Sequence, residues 1–387
     1  MNRALTVAFD GKRATTNATG LGWHSRTLLR TLARSHPELE LLLFSPKPTQ
    51  PAFEQYLQIP SLQAILPSER LRNPLSRYLW RSRRMGRLAH HHGADLFHGL
   101  SAMLPETWKG PSVVTFHDLL YLHFEGDYPL WDRRYYHRTA SRAAERADVI
   151  LSVSEATAND LVHHYQVPRE KIVVSYQSAA EIFTSDSIHP AEAQHLKSLY
   201  ELPDAFILSV GSFNKRKNHR RLLTAYAEVV RDIEDHQLVL VGGACREQEA
   251  LSDLARKLGV QDQVTFLLDV PFRDSPGLIK LSSFVAYLSL KEGFGLPVLE
   301  ALSCAKPVLT SNTSSLREVG GEASSLLVDP TDVEDIAQGL LKLSRDGSCK
   351  QRLQAAIPAH IEKFSSHRVI ERVYGAYQRA LSSRVAT

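Results

Sequence analysis

The chain has 387 residues, of which 43% are hydrophobic and 23% charged, and its formal net charge is +4. These values are typical of a soluble globular protein with two domains. The mild positive excess argues against a dedicated nucleic-acid binder, and no apolar run approaches the roughly 18 residues that span a bilayer. The 3 cysteines are widely spaced, so we expect reduced thiols in a cytoplasmic protein.

Strand-like and helix-like stretches alternate along the chain, which predicts an α/β fold with parallel sheets. The first apolar run, 4–9, is too short for a signal peptide and predicts a strand. A polar stretch interrupted by prolines, 184–203, predicts a linker, so we place the domains at 1–185 and 200–365. The tail, 366–387, has helical spacing over 367–381. The other predicted strands are 39–44, 63–66, 94–97, 112–116, 149–153, 171–176, 206–210, 238–241, 264–267, 284–288 and 308–309.

The first strand is followed by a polar loop, 15–22, that carries Gly20 and Gly22. No third glycine follows at the dinucleotide-binding spacing, and no acidic residue stands where a ribose partner would, so a nicotinamide enzyme is disfavoured. From the residues alone, a plain flexible connection and a ligand-binding loop both remain open.

A basic segment lies between Glu69 and Asp95, where no acidic residue occurs. Apolar residues at helical spacing alternate there with arginines, which predicts an amphipathic helix. Such a helix can lie on an anionic membrane surface, or it can pack its apolar stripe inward with the arginines in water. The histidines at its end point in different directions, so they do not predict a metal site. The arginines are Arg70, Arg72, Arg77, Arg81, Arg83, Arg84 and Arg87.

Polar groups follow two of the predicted strands. His117 and Asp118 come directly after the strand at 112–116, where α/β folds place ligand-binding groups. Arg216 and Lys217 stand where a helix begins after the strand at 206–210, although cations favour the opposite helix end. A bound diphosphate would explain that placement, and a solvated basic turn is the alternative.

The apolar run 284–290 has strand character, and the segment 291–307 that follows it predicts a glycine turn and a helix start. Gly293 and Gly295 allow a close backbone approach to a ligand, and the helix beginning at Leu296 points N–H groups at an anion. Glu292 and Glu300 bracket this turn, where their carboxylates suit sugar hydroxyls and not a phosphate. An ordinary βα unit with two solvated glutamates is the alternative reading.

The pair Glu292 and Glu300, with Gly-Phe-Gly-Leu-Pro between them, resembles the signature of retaining glycosyltransferases of the GT-B type in family 4. The resemblance implies two Rossmann-like parallel-sheet domains that face each other across a cleft. It implies an acceptor-side first domain, a nucleotide-sugar-binding second domain, and a C-terminal helix that packs back on the first.

The resemblance also implies roles for the residues singled out above. Catalytic roles would belong to His117 and Glu292, which would both contact the donor sugar, and Glu300 would bind the ribose. The donor-binding residues would be Gly20, Gly22, Arg216, Lys217, Gly293, Phe294, Gly295, Leu296 and Glu300.

Three departures from the family pattern stand out. Ser212 replaces a frequent arginine, Lys306 follows Ala305 where a pair of small residues is usual, and 177–179 read Gln-Ser-Ala in place of Asn-Gly. No Asp-x-Asp pair occurs in the sequence, so the basic residues and the glycine turn would neutralise the diphosphate. We therefore expect no metal and no cofactor besides the donor substrate.

The activity that the resemblance implies is transfer of a hexose from a nucleotide-diphosphate sugar to a glycan or lipid-linked acceptor, with retention at the anomeric carbon. The motif variants favour mannose- or rhamnose-type transfer in surface polysaccharide synthesis. The protein would be cytoplasmic, with the basic helix as a candidate contact to the inner membrane face. A catalytically silent nucleotide-sugar-binding subunit and an epimerase of the same fold are alternatives, while a glycan phosphorylase lacks a signal for its pyridoxal phosphate lysine.

Overall fold

The computed structural model describes residues 3–69, 71–233 and 235–384. Within them the chain forms two compact units. The first contains the residues up to Ser178 and those from Phe364 onward, and the second is Ala179–Lys363.

The first unit is built on a seven-stranded parallel sheet in the order β3-β2-β1-β4-β5-β6-β7. Its strands are mostly buried apolar runs, as expected of a sheet covered by helices on both faces. In the register, Phe9 pairs with Leu43 and with His98. The strands are β1 Thr6–Asp10, β2 Glu40–Phe44, β3 Leu62–Ile65, β4 Leu96–Gly99, β5 Ser112–Phe116, β6 Val149–Ser152 and β7 Ile172–Val174.

The second unit repeats this arrangement with six parallel strands in the order β10-β9-β8-β11-β12-β13. The predicted parallel α/β fold is therefore confirmed in both units. The last strand, Leu326–Val328, was not predicted, because three residues are too few to show a period. The strands are β8 Phe206–Val210, β9 Gln237–Gly242, β10 Val264–Leu268, β11 Phe284–Tyr287, β12 Val308–Ser311 and β13 Leu326–Val328.

Helices connect the strands and cover both sheets. None of those in the described ranges is long and apolar enough to cross a membrane. They are α1 Lys12–Thr16, α2 Gly20–Ser35, α3 Pro51–Glu54, α4 Pro74–Leu79, α5 Met85–His91, α6 Leu120–His123, α7 Leu130–Arg146, α8 Glu155–Tyr165, α9 Pro190–Leu199, α10 His219–Val229, α11 Arg246–Lys257, α12 Ser275–Leu281, α13 Leu296–Ser303, α14 Ser314–Gly320, α15 Val333–Arg345, α16 Gly347–Ile361 and α17 Ser366–Ser382.

The predicted linker, 184–203, differs from the structure, because these residues lie inside the second unit and contain α9. We had interpreted Pro190 as an interruption, whereas it is the first residue of this helix, where its missing N–H does no harm. Leu196 of α9 is buried and packs so closely on Gly277 of α12 that a Cβ at Gly277 would lie 2.2 Å from its Cδ1.

The last helix, α17, packs on the first unit. Its Ile370, Val373 and Tyr377 belong to the core that covers one face of the first sheet. The Tyr377 hydroxyl also lies 2.7 Å from Nδ1 of His98 in β4. Nε2 of His98 lies 2.8 Å from the Thr115 hydroxyl, so both nitrogens of this buried imidazole have hydrogen-bond partners.

Candidate functional site

In each sheet the order of the strands reverses beside the first strand of the unit. The reversal lies between β1 and β4 in the first unit and between β8 and β11 in the second. Ligands of open α/β sheets bind outside the carboxyl ends of the strands at such a point. His117 follows β5 near one reversal, and Arg216, Lys217 and Glu292 follow β8 and β11 at the other.

In the second unit, three of the predicted residues form one buried cluster. Oε1 of Glu292 lies 2.6 Å from Nη1 of Arg216 and 2.6 Å from Nζ of Lys217. The Tyr287 hydroxyl donates a further hydrogen bond to the same oxygen across 2.9 Å. Each of the three charged side chains is at most 12% exposed. The cluster holds two cations and one carboxylate, so these three side chains carry a net charge of +1.

The pKa of Glu292 reflects this pairing. Burial acts to raise it, but Lys217 and Arg216 outweigh burial and lower the pKa to about 2. Conversely, burial raises the pKa of Tyr287 well above its usual value, and the carboxylate of Glu292 adds to the shift. At neutral pH Glu292 is therefore an anion that accepts hydrogen bonds, and it has no proton to donate.

The backbone around Arg216 explains why the cluster forms. Lys215–Lys217 is a short 3₁₀ turn ahead of α10, so the two cations precede the helix and do not belong to its first turn. The carbonyl of Arg216 accepts from the Leu290 N–H at 2.9 Å and from the Ser289 hydroxyl at 3.1 Å. These bonds fix the turn against the end of β11, beside Glu292. The odd placement of the cations is thus accounted for by a protein carboxylate before any ligand is added.

The predicted glycine turn leads from Glu292 into α13. Gly295 has φ +103° and is the residue before the helix, and Pro297 lies within the first turn. A Cβ at Gly295 would lie 2.5 Å from Cδ2 of Leu316, so both the backbone angle and the packing require glycine. Phe294 is buried, and Leu296 is the first residue of the helix. Pro297 has no N–H, and the N–H groups of Val298 and Leu299 bond to the Gly295 carbonyl, so binding of an anion at this turn stays a prediction.

Glu300 lies one turn into α13 and is partly exposed. Its carboxylate makes no hydrogen bond or ion pair with any other residue that the structure describes. Burial raises its pKa to about 7, so ionised and protonated forms coexist near neutral pH. A hydroxyl ligand would stabilise the ionised carboxylate, because the hydrogen bond that it donates replaces the water that burial removed.

In the first unit His117 is 8% exposed, and both ring nitrogens have partners. Nε2 donates to the carbonyl of Leu100 across 2.8 Å, and Nδ1 accepts from the side-chain amide of Gln177 across 2.9 Å. Burial lowers the pKa of His117 to about 4, against the raising effect of the Leu100 hydrogen bond. The ring is thus neutral. His117 belongs to the first unit and Glu292 to the second.

The predicted loop at 15–22 is wrong in its extent. Most of it is helical, since α1 runs to Thr16 and α2 starts at Gly20, which leaves only three residues as a turn. A Cβ at Gly22 would lie 1.9 Å from the carbonyl oxygen of Asn17, so this glycine is required by packing of the turn. Gly20 is exposed at the first position of α2.

The basic segment is helical as predicted, but it is not uniformly amphipathic. Arg70 lies outside the described residues. A π-helical turn, Trp80–Arg84, joins α4 to α5 and shifts the faces of the helix. Arg81 is buried there and forms an ion pair with Asp10 at the end of β1. It is therefore not available to a membrane, whereas Arg83, Arg84 and Arg87 are exposed.

Two residues of these sites were not predicted. Tyr287 is the last residue of β11, and we had interpreted it as part of an apolar strand. Gln177 was noted only as a departure from the family pattern. In the structure its side-chain amide bonds the ring of His117, which lies 60 residues earlier in the chain. Its place at the end of a predicted strand was the one signal that could have indicated it.

One group of side chains within the described ranges could hold a metal ion. It consists of His123, Asp160 and His164 in the first unit, whose ligand atoms lie within 4.8 Å of one another. His123 already pairs with Asp160 at 3.0 Å. The predicted donor-binding residues of the second unit include no such group among the residues that are described.

Comparisons with known proteins agree with this architecture. A family described as Glycosyltransferase Family 4 matches residues 18–177, and Glycosyl transferases group 1 matches residues 191–359. The chain is similar to the O-antigen chain mannosyltransferase B of Escherichia coli, with 30% identity over 285 residues, or 73% of this chain and 74% of the relative.

Two solved structures show the same fold over nearly the whole chain. The sucrose-phosphate synthase of Thermosynechococcus elongatus has a TM-score of 0.78 at 19% identity and covers 98% of this chain and 100% of its own. HepE of Anabaena, in complex with UDP and glucose, has a TM-score of 0.76 at 18% identity and covers 97% and 99%. The predicted fold class, two Rossmann-like parallel-sheet domains of the GT-B type, is confirmed.

Proposed function

The chain belongs to the family 4 glycosyltransferases of the GT-B fold, and we propose that it transfers a hexosyl group from a nucleotide-diphosphate sugar to a glycan or lipid-linked acceptor in surface polysaccharide synthesis. The observation that carries this proposal is the buried cluster of Arg216, Lys217 and Glu292 beside the N-terminus of α13. It combines an excess positive charge with a permanent carboxylate at the point where α/β sheets bind ligands.

The leaving diphosphate would be stabilised by Arg216, Lys217 and the N–H groups at the start of α13. When the bond from the anomeric carbon to the diphosphate oxygen breaks, the electron pair stays on the diphosphate, and the two cations neutralise the developing charge. Because these groups are charged at neutral pH without a metal, we propose that transfer needs none.

Glu292 and Glu300 would orient the donor. Glu292 is anionic and would accept hydrogen bonds from donor-sugar hydroxyls, while Glu300 would accept from the ribose. His117, held neutral, would contact the sugar and not act as an acid. Attack on the face that the diphosphate leaves, with that diphosphate taking the acceptor proton, would retain the anomeric configuration.

Mannose is the favoured sugar, because the relative from Escherichia coli is an O-antigen chain mannosyltransferase. The test starts with the melting temperature of the purified protein in GDP, UDP, dTDP and ADP, each with EDTA or Mg²⁺. A ligand that binds the native state raises this temperature. The proposal expects one nucleotide to stabilise the protein in EDTA, and the effect to be lost in Lys217→Gln.

The nucleotide so identified is then supplied as its mannose, rhamnose and glucose conjugates with a glycan acceptor. Proton NMR of the product reports both transfer and anomeric configuration. Conversion of the donor to an epimeric nucleotide sugar in the absence of an acceptor would favour the epimerase alternative, and binding without turnover would favour a silent subunit. A product of inverted configuration would overturn retention.

An anionic membrane surface is a proposed partner. The exposed Arg83, Arg84 and Arg87 adjoin α4, whose Leu75 is 65% exposed and Leu79 38% exposed. Apolar side chains next to arginines are the composition of an interfacial helix. This contact would hold the enzyme near a lipid-linked acceptor at the inner face of the membrane.

A further inference from the structure

The first unit contains a cavity at its own strand-order reversal. A space of ≈ 310 Å³ lies at the carboxyl ends of β1, β4 and β5, with Lys12, Arg13 and His117 in its wall. A neighbouring space of ≈ 590 Å³ shares Lys12 and Tyr135 with it. Its position is the one where open α/β sheets bind ligands, as in the second unit.

Two cations in this wall lack a compensating carboxylate. Lys12 and Arg13 are half-buried, and neither forms an ion pair with another described residue. Arg81, which also lines the cavity, differs because Asp10 neutralises it. Burial lowers the pKa of Lys12 to about 8. The neighbouring cations Arg81, Arg13 and Arg77 lower it further, and Asp10 acts to raise it.

The carboxylates that line the two spaces do not cancel these charges. Asp118 lines the first cavity and Asp132 the second, while the two spaces together are lined by five cations. With Arg81 neutralised by Asp10, four cations face two carboxylates. The five cations are Lys12, Arg13, Lys47, Arg77 and Arg81.

The lining of the cavity is also aromatic. Tyr121, Tyr128, Tyr135 and Tyr136 line the first cavity, and the ring of Tyr136 lies 5.7 Å from Tyr121 and 6.2 Å from Tyr128, centroid to centroid. Aromatic rings offer flat apolar faces to the C–H faces of a sugar. A lining that combines cations with aromatic rings suits a sugar that carries an anionic substituent.

We propose that this cavity binds a phosphate-bearing sugar of the acceptor, with the phosphate on Lys12 and Arg13 and the sugar ring among the tyrosines. A phosphate dianion matches two adjacent cations, and the arginine can bind two of its oxygens at once. The inference rests on the proposed function, since it names the class of acceptor which that reaction would use.

The probe is mannose 6-phosphate, titrated into the full-length protein by calorimetry, with mannose as the uncharged comparison. Titrations are repeated in Lys217→Gln, which removes a phosphate-binding cation from the second unit. Lys12→Gln and Arg13→Gln are expected to weaken binding at least tenfold in both backgrounds. Arg138→Gln is the matched control, because Arg138 is exposed on α7, the helix of Tyr135 and Tyr136, and does not line the cavity.

Three further measurements test the proposal. Lys12→Arg restores a charge and is expected to bind within about threefold of the wild type, whereas a merely structural Lys12 would give the same result with Gln as with Arg. Binding is also expected to weaken as the pH rises above 8, where Lys12 loses its proton. Farnesyl diphosphate, tested in parallel, distinguishes a lipid diphosphate from a sugar phosphate as the source of the anion.

The proposal is overturned if mannose binds as tightly as its 6-phosphate, or if Lys12→Gln and Arg13→Gln retain wild-type affinity. It is also overturned if only Lys217→Gln abolishes binding, since the anion then lies in the second unit. Nucleotide-dependent stabilisation is measured in the same samples. If nucleotide-dependent stabilisation persists while Lys12→Gln and Arg13→Gln retain wild-type affinity, this inference fails and the proposed function stands. If that stabilisation is missing while the two variants lose affinity, the phosphate site stands and the proposed function is rejected.

Discussion

The side-chain amide of Gln177 donates a hydrogen bond to Nδ1 of His117 across 2.9 Å. Since Nε2 of the same ring donates to the Leu100 carbonyl, the imidazole is fixed as its neutral Nε2–H tautomer. A protonated His117 would place an N–H against the amide hydrogens of Gln177. Burial keeps the ring neutral, and Gln177 and Leu100 determine which nitrogen carries the proton.

Gln177→Glu is expected to raise the pKa of His117 from about 4 to above roughly 6, because a carboxylate favours a protonated Nδ1. NMR of specifically labelled histidine measures this pKa directly. Gln177→Leu is the control, since it removes the hydrogen bond without adding charge and should leave the ring neutral at pH 6. A His117 pKa that stays near 4 in Gln177→Glu would contradict the contact.

Glu292→Gln is expected to lower the melting temperature, because it leaves Arg216 and Lys217 as buried cations without a carboxylate. Removing one partner of a buried ion pair costs about 3–5 kcal/mol. The nucleoside diphosphate should then stabilise the variant more than the wild type, as it meets a site with one more net positive charge. Transfer should fall at least a hundredfold. Differential scanning fluorimetry with and without nucleotide makes the measurement.

The control for Glu292→Gln is Glu322→Gln in the same unit. Glu322 pairs with Arg317 on the surface, where both side chains are more than 60% exposed, and such pairs contribute less than about 1 kcal/mol. Equal loss of stability in the two variants would mean that the buried cluster is not formed in solution.

The sequence predicted the residues of the second site better than their relationships. Arg216, Lys217 and Glu292 were each identified from strand ends and glycine turns, which are local signals. The ion pairs of Lys217 and Arg216 with Glu292 join positions 75 and 76 residues apart, and nothing local indicates that the cations meet a protein carboxylate before they meet a ligand.

The basic helix shows the same limit. Its apolar spacing predicted a helix, but a regular period cannot show a π-helical turn, which inserts one residue into the helical repeat. The turn directs Arg81 inward to Asp10, a partner 71 residues earlier in the chain. Pro190 was interpreted as an interruption within a linker, whereas it begins α9, since a proline fits the first position of a helix.

Gly295→Ala is expected to destabilise the protein by about 1–3 kcal/mol, because a side chain at φ +103° is strained and the new methyl group collides with Leu316. Nucleotide binding should fall with it, since the turn directs N–H groups at the anion. Gly347→Ala is the matched control: Gly347 begins α16 and has open space at its Cβ position. Thermal melts in which both variants behave alike would refute a special role for the Gly295 turn.

Glu300 gives a pH dependence with a definite sign. Its folded pKa of about 7 lies above the ordinary value, so the folded state holds a proton more tightly than the unfolded chain between pH 4.5 and 7. The ionised carboxylate therefore destabilises the fold above pH 7, and this penalty disappears as the pH falls. Glu300→Gln is expected to be more stable than the wild type at pH 8 by about 3 kcal/mol, and this difference should disappear below the unfolded pKa of 4.5.

Ionisation of Glu300 should have the opposite effect on nucleotide affinity, because it destabilises the fold but favours binding. If ionised Glu300 accepts from the ribose, wild-type affinity falls as the pH drops below 7, and Glu300→Gln binds weakly with a flatter pH profile. The residual slope in the variant measures titration of the nucleotide phosphate itself. Identical profiles for the two proteins would remove Glu300 from the ribose site.

The exposed arginines give the last prediction. Replacing Arg83, Arg84 and Arg87 together with Gln should weaken binding to vesicles that contain phosphatidylglycerol by roughly a hundredfold, at about 1 kcal/mol per arginine near an anionic surface. Binding to purely zwitterionic vesicles should be weak for both proteins. Arg81 is left in place, because its replacement would break the buried pair with Asp10 and confuse binding with stability.

The matched control removes three exposed arginines from the second unit, Arg256, Arg273 and Arg317, whose side chains are all more than 60% exposed. The two triple variants have the same net charge, so a difference between them measures where the charge lies and not how much there is. Leu75→Ser tests the apolar half of the contact in the same flotation assay. If both triple variants lose vesicle binding equally, the attraction is a property of the whole chain, and α4 and α5 are ordinary surface helices.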